Sequence, residues 1–332
     1  MLNRQKVVFR ADGNNSIGMG HVIRCLAIAE MLNEQFDCHF AIVQPSPEIE
    51  QTILKTCPHI IMLSTASITD FIGELNGKEI VVLDGYNFTS DHQKAIKAAG
   101  CKLVSIDDLH ELHFYSDVVI NHALTANADE YDTEPYTKVL TGSEYVMLRG
   151  NFIAAASKTR HIQSFHTAFV CFGGADKEEL CYRICERMPA FVTSIHILLG
   201  AAYVGDLNQF QVLAEKKGIF IKTLRNIDSD AVLIVMQQSD FAIVAASGVA
   251  YECAAAGLPI ITGFSMDHQR EFYSALCRQP NIIGVQSWQE CDETTLSTAL
   301  QKLIKEYQPG VKSLVDGKQK ERYLHLFTEL AA

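Results

Sequence analysis

No stretch of this chain stays apolar for the roughly 18 consecutive residues that a membrane span requires. The N-terminus lacks the basic-then-apolar pattern of a signal peptide. Basic charge is also scarce: 28 Lys and Arg stand against 39 Asp and Glu, a formal net charge of −11. That balance excludes generic nucleic-acid binding, which needs a basic face, and disfavours an anionic membrane surface. It leaves room for an anionic small molecule, which helix N-termini and a few arginines can hold locally. No Cys-x-x-Cys pair occurs among the ten cysteines, and several lie inside apolar runs such as 169–172. They read as reduced, buried small hydrophobes rather than disulfides or metal ligands. Cys181 and Cys185, four apart on an expected helix, have no neighbouring His or second pair to complete a metal set. No low-complexity segment, basic tail or short repeat interrupts the 332 residues, 48% of which are hydrophobic. The expectation is a cytoplasmic enzyme of about two domains.

What is present is a regular alternation. Short apolar runs at 7–9, 38–43, 60–63, 80–84, 103–108 and 118–121 alternate with helical patterns at 46–56, 67–75 and 90–99. Strands separated by helices mean a parallel, doubly wound α/β sheet. Ligands of such sheets bind past the carboxyl ends of the strands, which singles out Asp12, Asp84, Tyr86, Asp107, Asp108 and Asn121. Each also has a plainer role as a turn or cap residue, and the adjacent pair Asp107-Asp108 has no obvious third ligand for Mg²⁺.

The first strand-to-helix turn carries Gly18-Met19-Gly20-His21-Val22-Ile23-Arg24. Its glycines permit positive φ and close approach of a ligand to the backbone. The helix start offers unpaired N–H groups to an anion, with His21 at its mouth and Arg24 on the same face. The spacing fits neither the G-x-G-x-x-G dinucleotide fingerprint nor the Walker P-loop, and His21 alone is also an ordinary helix-start residue.

The polar run 157–164 reads as a linker, after which the pattern restarts at 168–172. Gly173-Gly174-Ala175-Asp176 forms a second glycine-rich turn before a helix expected over 178–188. The strand 241–245 then runs into Ser247-Gly248-Val249-Ala250-Tyr251-Glu252, and Gly257-Leu258-Pro259 ends the following helix. A hydroxyl and backbone N–H groups at that helix start can hold phosphate oxygens. Glu252, one turn in, can accept both hydroxyls of a ribose, or simply face solvent. Asp267-His268-Gln269 occupies a later loop able to read a sugar.

Taken in order, the Gly18-x-Gly20-His21-x-x-Arg24 loop, Asp84-Gly85-Tyr86, Asp107-Asp108, Gly173-Gly174-x-Asp176 and Ser247-Gly248…Glu252…Gly257-x-Pro259 resemble the UDP-2,4-diacetamido-2,4,6-trideoxy-β-L-altropyranose hydrolases of pseudaminic acid biosynthesis. These are relatives of the lipid-II N-acetylglucosaminyltransferase. The resemblance spans nearly the whole chain. It implies a GT-B fold, two Rossmann-like doubly wound domains with an interdomain cleft. The expected boundaries are 1–157, 158–315, and a C-terminal helix over 316–332 able to pack back on the first domain. It further implies hydrolysis at the anomeric carbon with inversion, releasing UDP and free sugar. By carry-over His21 is the general base. Asp12, Gly18, Gly20, Arg24, Tyr86, Asp107, Asn121 and Gln269 contact the sugar. Gly173, Gly174, Leu224, Ile227, Ser247, Gly248 and Glu252 hold UDP. No cofactor and no metal are implied, the partner is a UDP-sugar, and the chain is expected to be a monomer or weak homodimer. Two stretches depart from the family pattern. Ser247-Gly248-Val249 replaces Gly-Ser-Thr, and Asp267-His268-Gln269 replaces Asp-Asn-Gln. A glycosyltransferase on the same fold, a hydrolysing UDP-sugar 2-epimerase and a non-catalytic nucleotide-sugar binder are the competing readings.

Overall fold

A computed structural model describes residues 4–13, 19–173, 176, 178–200, 203–311 and 314–332. The chain divides into two compact units, Met1–Gly150 with Lys318–Ala332, and Asn151–Gly317. The first runs β1 (Lys6–Ala11), α1 (Gly20–Leu32), β2 (Asp37–Val43), α2 (Pro47–Leu54), β3 (His59–Leu63), α3 (Ile68–Gly73), β4 (Ile80–Asp84), α4 (Ser90–Ala98), β5 (Lys102–Ile106), β6 (His113–Phe114), β7 (Val118–Asn121), β8 (Asp132–Thr133) and β9 (Lys138–Thr141). The second runs α5 (Gly150–Ala156), β10 (Thr167–Cys171), α6 (Leu180–Glu186), β11 (Ser194–Leu199), α7 (Asn208–Lys217), β12 (Phe220–Arg225), α8 (Ser229–Gln237), β13 (Phe241–Ala245), α9 (Val249–Ala255), β14 (Ile260–Phe264), α10 (Arg270–Leu276), β15 (Ile282–Ser287) and α11 (Glu293–Glu306). Helix α12 (Gln319–Ala331) belongs to the first unit.

Each unit is built on one parallel sheet, ordered β3-β2-β1-β4-β5-β7-β9 in the first and β12-β11-β10-β13-β14-β15 in the second. Helices cover both faces, so the central strands are buried on both sides and read as continuous apolar runs. Every residue of β4 and of β13 is buried. In both sheets the chain winds one way from its first strand, then returns to that strand's other flank. The switch falls between β1 and β4 in the first unit and between β10 and β13 in the second. The crevice at such a switch, at the carboxyl ends of the strands, is where doubly wound sheets bind ligands.

Helix α1 is buried nearly all round, from His21 and Val22 to Met31 and Leu32. The sheet covers one side and α12 the other. Phe327 of α12 meets Phe36 edge-on at 6.1 Å, and the Tyr323 hydroxyl donates to the Tyr145 carbonyl at 2.7 Å. The helix expected over 178–188 is shorter in the structure. Glu179 takes a left-handed φ of 51°, and α6 starts at Leu180. The stretch 127–138 contains the two-residue strand β8, which pairs with β6. All ten cysteines are free thiols and nine are buried. Among the described residues no helix is long and apolar enough to cross a membrane.

Candidate active site

The β1–β4 switch places two chemistry-bearing residues together. Ala11 pairs with Asp84 across the two strands, and α1 begins at Gly20 with no acidic residue in its first turn and, among the described residues, no side-chain cap. Its N-terminal N–H groups therefore keep the partial positive charge that favours an anion. His21, the second residue of α1, is 7% exposed. Its Nδ1 lies 2.7 Å from Oδ1 of Asp84, whose carboxylate is fully buried.

A buried carboxylate is tolerated only with charge and hydrogen-bond partners. Arg24, one turn along α1, supplies them. Its Nε donates to Asp84 Oδ2 at 3.0 Å and its Nη2 to Oδ1 at 2.7 Å. Its Nη1 donates to both oxygens of Asp108 at 2.8 Å. Burial opposes the guanidinium charge, but Asp84 and Asp108 outweigh it and raise the Arg24 pKa. Burial likewise opposes the Asp108 charge, and Arg24 overcomes it, holding that carboxyl below its usual range. Arg24 Nη2 also comes within 3.0 Å of His21 Nδ1. A ring nitrogen 2.7 Å from a carboxylate oxygen must donate, since two lone pairs repel at that distance, so we assign the proton to Nδ1. The lone pair then sits on Nε2, the tautomer a general base requires.

Tyr86 stands edge-on to the His21 ring, centroids 4.9 Å apart. It is 66% exposed, and its hydroxyl donates to Asp108 at 3.3 Å. Partial burial and the Asp108 charge raise its pKa, so it stays a neutral donor. Arg24, Asp84, Tyr86, Asp107 and Asp108 share the lining of a cavity of about 110 Å³ with Leu109, Leu112 and Phe114.

Other strand-end residues face inward partners. Asp12 forms a bidentate pair with Arg10 at 2.6 and 2.8 Å and accepts from the Val43 N–H at 3.1 Å. The carboxylates of Asp107 and Asp108 turn to different partners. Asp107 accepts from the N–H groups of Leu109 and His110 and from the Tyr131 hydroxyl. Asn121 donates to that same hydroxyl at 2.8 Å. A Cβ on Gly20 would meet nothing within 4 Å. Gly18 lies outside the described residues.

His122, half-buried next to Asn121, is pulled down to about 4 by burial and by the Arg24 charge. Its ordinary value is about 6.5. As pH falls from about 6.5 to about 4, the unfolded chain takes up a proton that the folded chain refuses. This contribution to stability is therefore complete above about pH 6.5 and lost through that window. The expected loss is about 3 kcal/mol through the whole window, of which about 2 kcal/mol has gone by about pH 4.5. His122→Asn should shrink the difference between unfolding free energies from urea titrations near about pH 7 and about pH 4.5 by about 2 kcal/mol. An unchanged difference would contradict the assignment.

In the second unit the corresponding switch holds Gly173, two residues after β10, and Ser247-Gly248, which begins two residues after β13. Gly173 has a φ of 92°, and a Cβ there would meet nothing within 4 Å. Asp176 closes the start of α6, accepting from the N–H groups of Leu180 at 2.8 Å and Cys181 at 3.0 Å. Glu252 lies in the first turn of α9. The Cys171 thiol, pushed up to about 12 by burial, also feels the Glu252 and Asp176 carboxylates, which puts both beside this turn. Leu224 is in β12, and Ile227 follows the left-handed Asn226. Gln269 turns its side-chain carbonyl back onto the N–H of Ser265 at 2.9 Å. Gly174 lies outside the described residues, as does the His268 side chain.

Sequence reasoning marks Asp84 only as a strand-end residue. The pairing with His21 joins positions 63 apart. A carboxylate closing an otherwise apolar, fully buried strand is the signal for it, because such a group must find a partner.

No family model matches the chain. Over 254 residues it is 28% identical to the UDP-2,4-diacetamido-2,4,6-trideoxy-beta-L-altropyranose hydrolase of Campylobacter jejuni, covering 74% of this chain and 87% of that protein. The resemblance read from the motifs holds. The chain is also 23% identical over 322 residues, 93% of each chain, to the spore coat polysaccharide biosynthesis protein SpsG of Bacillus subtilis. Among solved structures, MurG of Acinetobacter baumannii matches with a TM-score of 0.61 at 14% identity, covering 98% of this chain and 99% of that one. The fold is GT-B, and the chain is related to a UDP-sugar hydrolase.

Proposed function

We propose that this protein hydrolyses a UDP-linked 2,4-diacetamido-2,4,6-trideoxyhexose at the anomeric carbon with inversion, releasing UDP and free sugar for a nonulosonic acid of the pseudaminic type. The observation that carries the reading is the buried His21–Asp84 pair at the β1–β4 switch. In this reading water gives a proton to Nε2 of His21 as its oxygen attacks the anomeric carbon. The bond from that carbon to the diphosphate oxygen breaks, and its electron pair leaves with UDP. The imidazolium that forms is met by the Asp84 carboxylate, which Arg24 pairs with and orients. A positioned base of this kind contributes about 10²–10⁴-fold to rate.

The other assignments follow the same reading. Tyr86 lies against the sugar, and Gly20 leaves room for it at the start of α1. Asp12, Arg24, Asp107 and Asn121 act on the sugar through the loops they hold, since their polar atoms are engaged with Arg10, Asp84, Asp108 and Tyr131. Gln269 shapes the 265–269 loop in the same indirect way. In the second unit Ser247 and Gly248 take the diphosphate, Glu252 the ribose, and Gly173, Leu224 and Ile227 the uracil.

The likeness to MurG favours one second reading, a glycosyltransferase that needs an acceptor. Incubating the protein with a panel of UDP-activated diacetamido-trideoxyhexoses, without acceptor, separates the two. Release of UDP from at least one member is expected. Release that begins only when an acceptor alcohol is added would replace hydrolysis with transfer.

A further inference from the structure

At the amino ends of β2 and β3, in the same sheet, lies a cluster that the proposed reaction leaves unused. Asp37 opens β2, and His39 follows two residues later on the same face of the strand. His59 opens β3, and the parallel register sets it directly against His39. The two imidazoles stack with centroids 4.6 Å apart and planes inclined by 23°. Nε2 of His39 lies 2.9 Å from Oδ2 of Asp37. One ligand atom from each of the three residues falls within 4.8 Å of the other two. No other group of His, Cys, Asp and Glu among the described residues meets that condition. Asp37 and His39 are half-buried and His59 is exposed, so solvent reaches the cluster.

Zinc sits about 2.0–2.2 Å from imidazole nitrogen and carboxylate oxygen, which sets tetrahedral ligands ~3.4 Å apart. The observed spread of up to 4.8 Å has to close to that value on binding, which asks the exposed His59 side chain to turn. Two imidazoles and one carboxylate suit a borderline divalent ion. Mg²⁺ and Ca²⁺ prefer oxygen alone, and Cu(I) prefers sulfur.

We propose that Asp37, His39 and His59 bind one divalent transition-metal ion of the zinc class, with water in the fourth position. Binding leaves His39 neutral, with its ring proton on Nδ1 and the Nε2 lone pair turned to the ion. It pins β3, the edge strand of the sheet, to its neighbour β2. The site is separate from the His21–Asp84 pair, which lies at the other ends of the strands, about 20 Å away for strands of this length.

The test uses full-length protein, first stripped with chelator, then titrated with Co²⁺ followed by absorption and with Zn²⁺ followed by calorimetry and thermal unfolding. Wild type should bind one equivalent, give the visible bands of four-coordinate Co²⁺, and gain about 5 °C in Tm with saturating Zn²⁺. His59→Ala removes an exposed side chain and so spares the fold. It should abolish the Co²⁺ bands and weaken Zn²⁺ binding about 100-fold. Absence of four-coordinate Co²⁺ bands in wild type would overturn the proposal, as would undiminished one-equivalent Zn²⁺ binding in His59→Ala.

Discussion

Replacing His21 by Ala is expected to slow UDP release about 10³-fold, within the range that a positioned general base supplies, while UDP affinity stays unchanged. The two effects separate because they rest on different parts of the chain. His21 lies in the first unit, on the first turn of α1, whereas the residues proposed for UDP lie in the second. The substitution also deletes a buried ring and leaves Asp84 to Arg24 alone. A modest loss of stability is therefore expected, and the variant should be assayed well below its unfolding temperature. Single-turnover UDP release and calorimetric UDP binding check the two halves. Full activity in His21→Ala would remove the base from the account.

Asp84→Asn should have an effect of similar size through a different route. The amide keeps the carboxylate's shape but can present an N–H to Nδ1 of His21. That would force the imidazole into the tautomer whose Nε2 carries the proton and cannot take another. A loss of about 10³-fold in kcat is expected, with KM little changed, because Asp84 acts through His21 rather than on the sugar. The same change takes one of the two carboxylates from Arg24, whose Nε and Nη2 both bond to Asp84. Breaking a buried pair from one side costs about 3 kcal/mol, so the melting temperature should fall as well. Asp84→Glu restores the charge but moves it by one methylene, and should recover stability more than rate. A variant that lost stability while keeping its turnover would reduce Asp84 to a structural role.

The sheet is largely legible in the sequence because parallel strands with both faces covered must be apolar throughout. Short, uninterrupted apolar runs such as 80–84 and 241–245 suit a doubly covered strand and little else. The glycine-His-Arg turn is legible from its spacing. What spacing does not convey is the direction in which a strand-end polar group points. Asp12, Asp107 and Asn121 all sit past or at strand ends as expected, yet their side chains reach Arg10, the 109–110 backbone and Tyr131. Long-range partners are equally hidden. The His21–Asp84 bond and the packing of α12 on α1 join residues far apart in sequence. So does the Asp37, His39 and His59 cluster, which needs strand register before its three donors are seen to meet. A search for cysteine pairs or closely spaced histidines passes over it.

The most direct test of the account is to run the hydrolysis in ¹⁸O-labelled water with a UDP-linked 2,4-diacetamido-2,4,6-trideoxyhexose and to locate the label and the product anomer by mass spectrometry and early-time NMR. The label is predicted in the anomeric hydroxyl of a free sugar of inverted configuration, with unlabelled UDP. Label in the UDP phosphate, or a sugar of retained configuration, would contradict attack by a His21-activated water at the anomeric carbon.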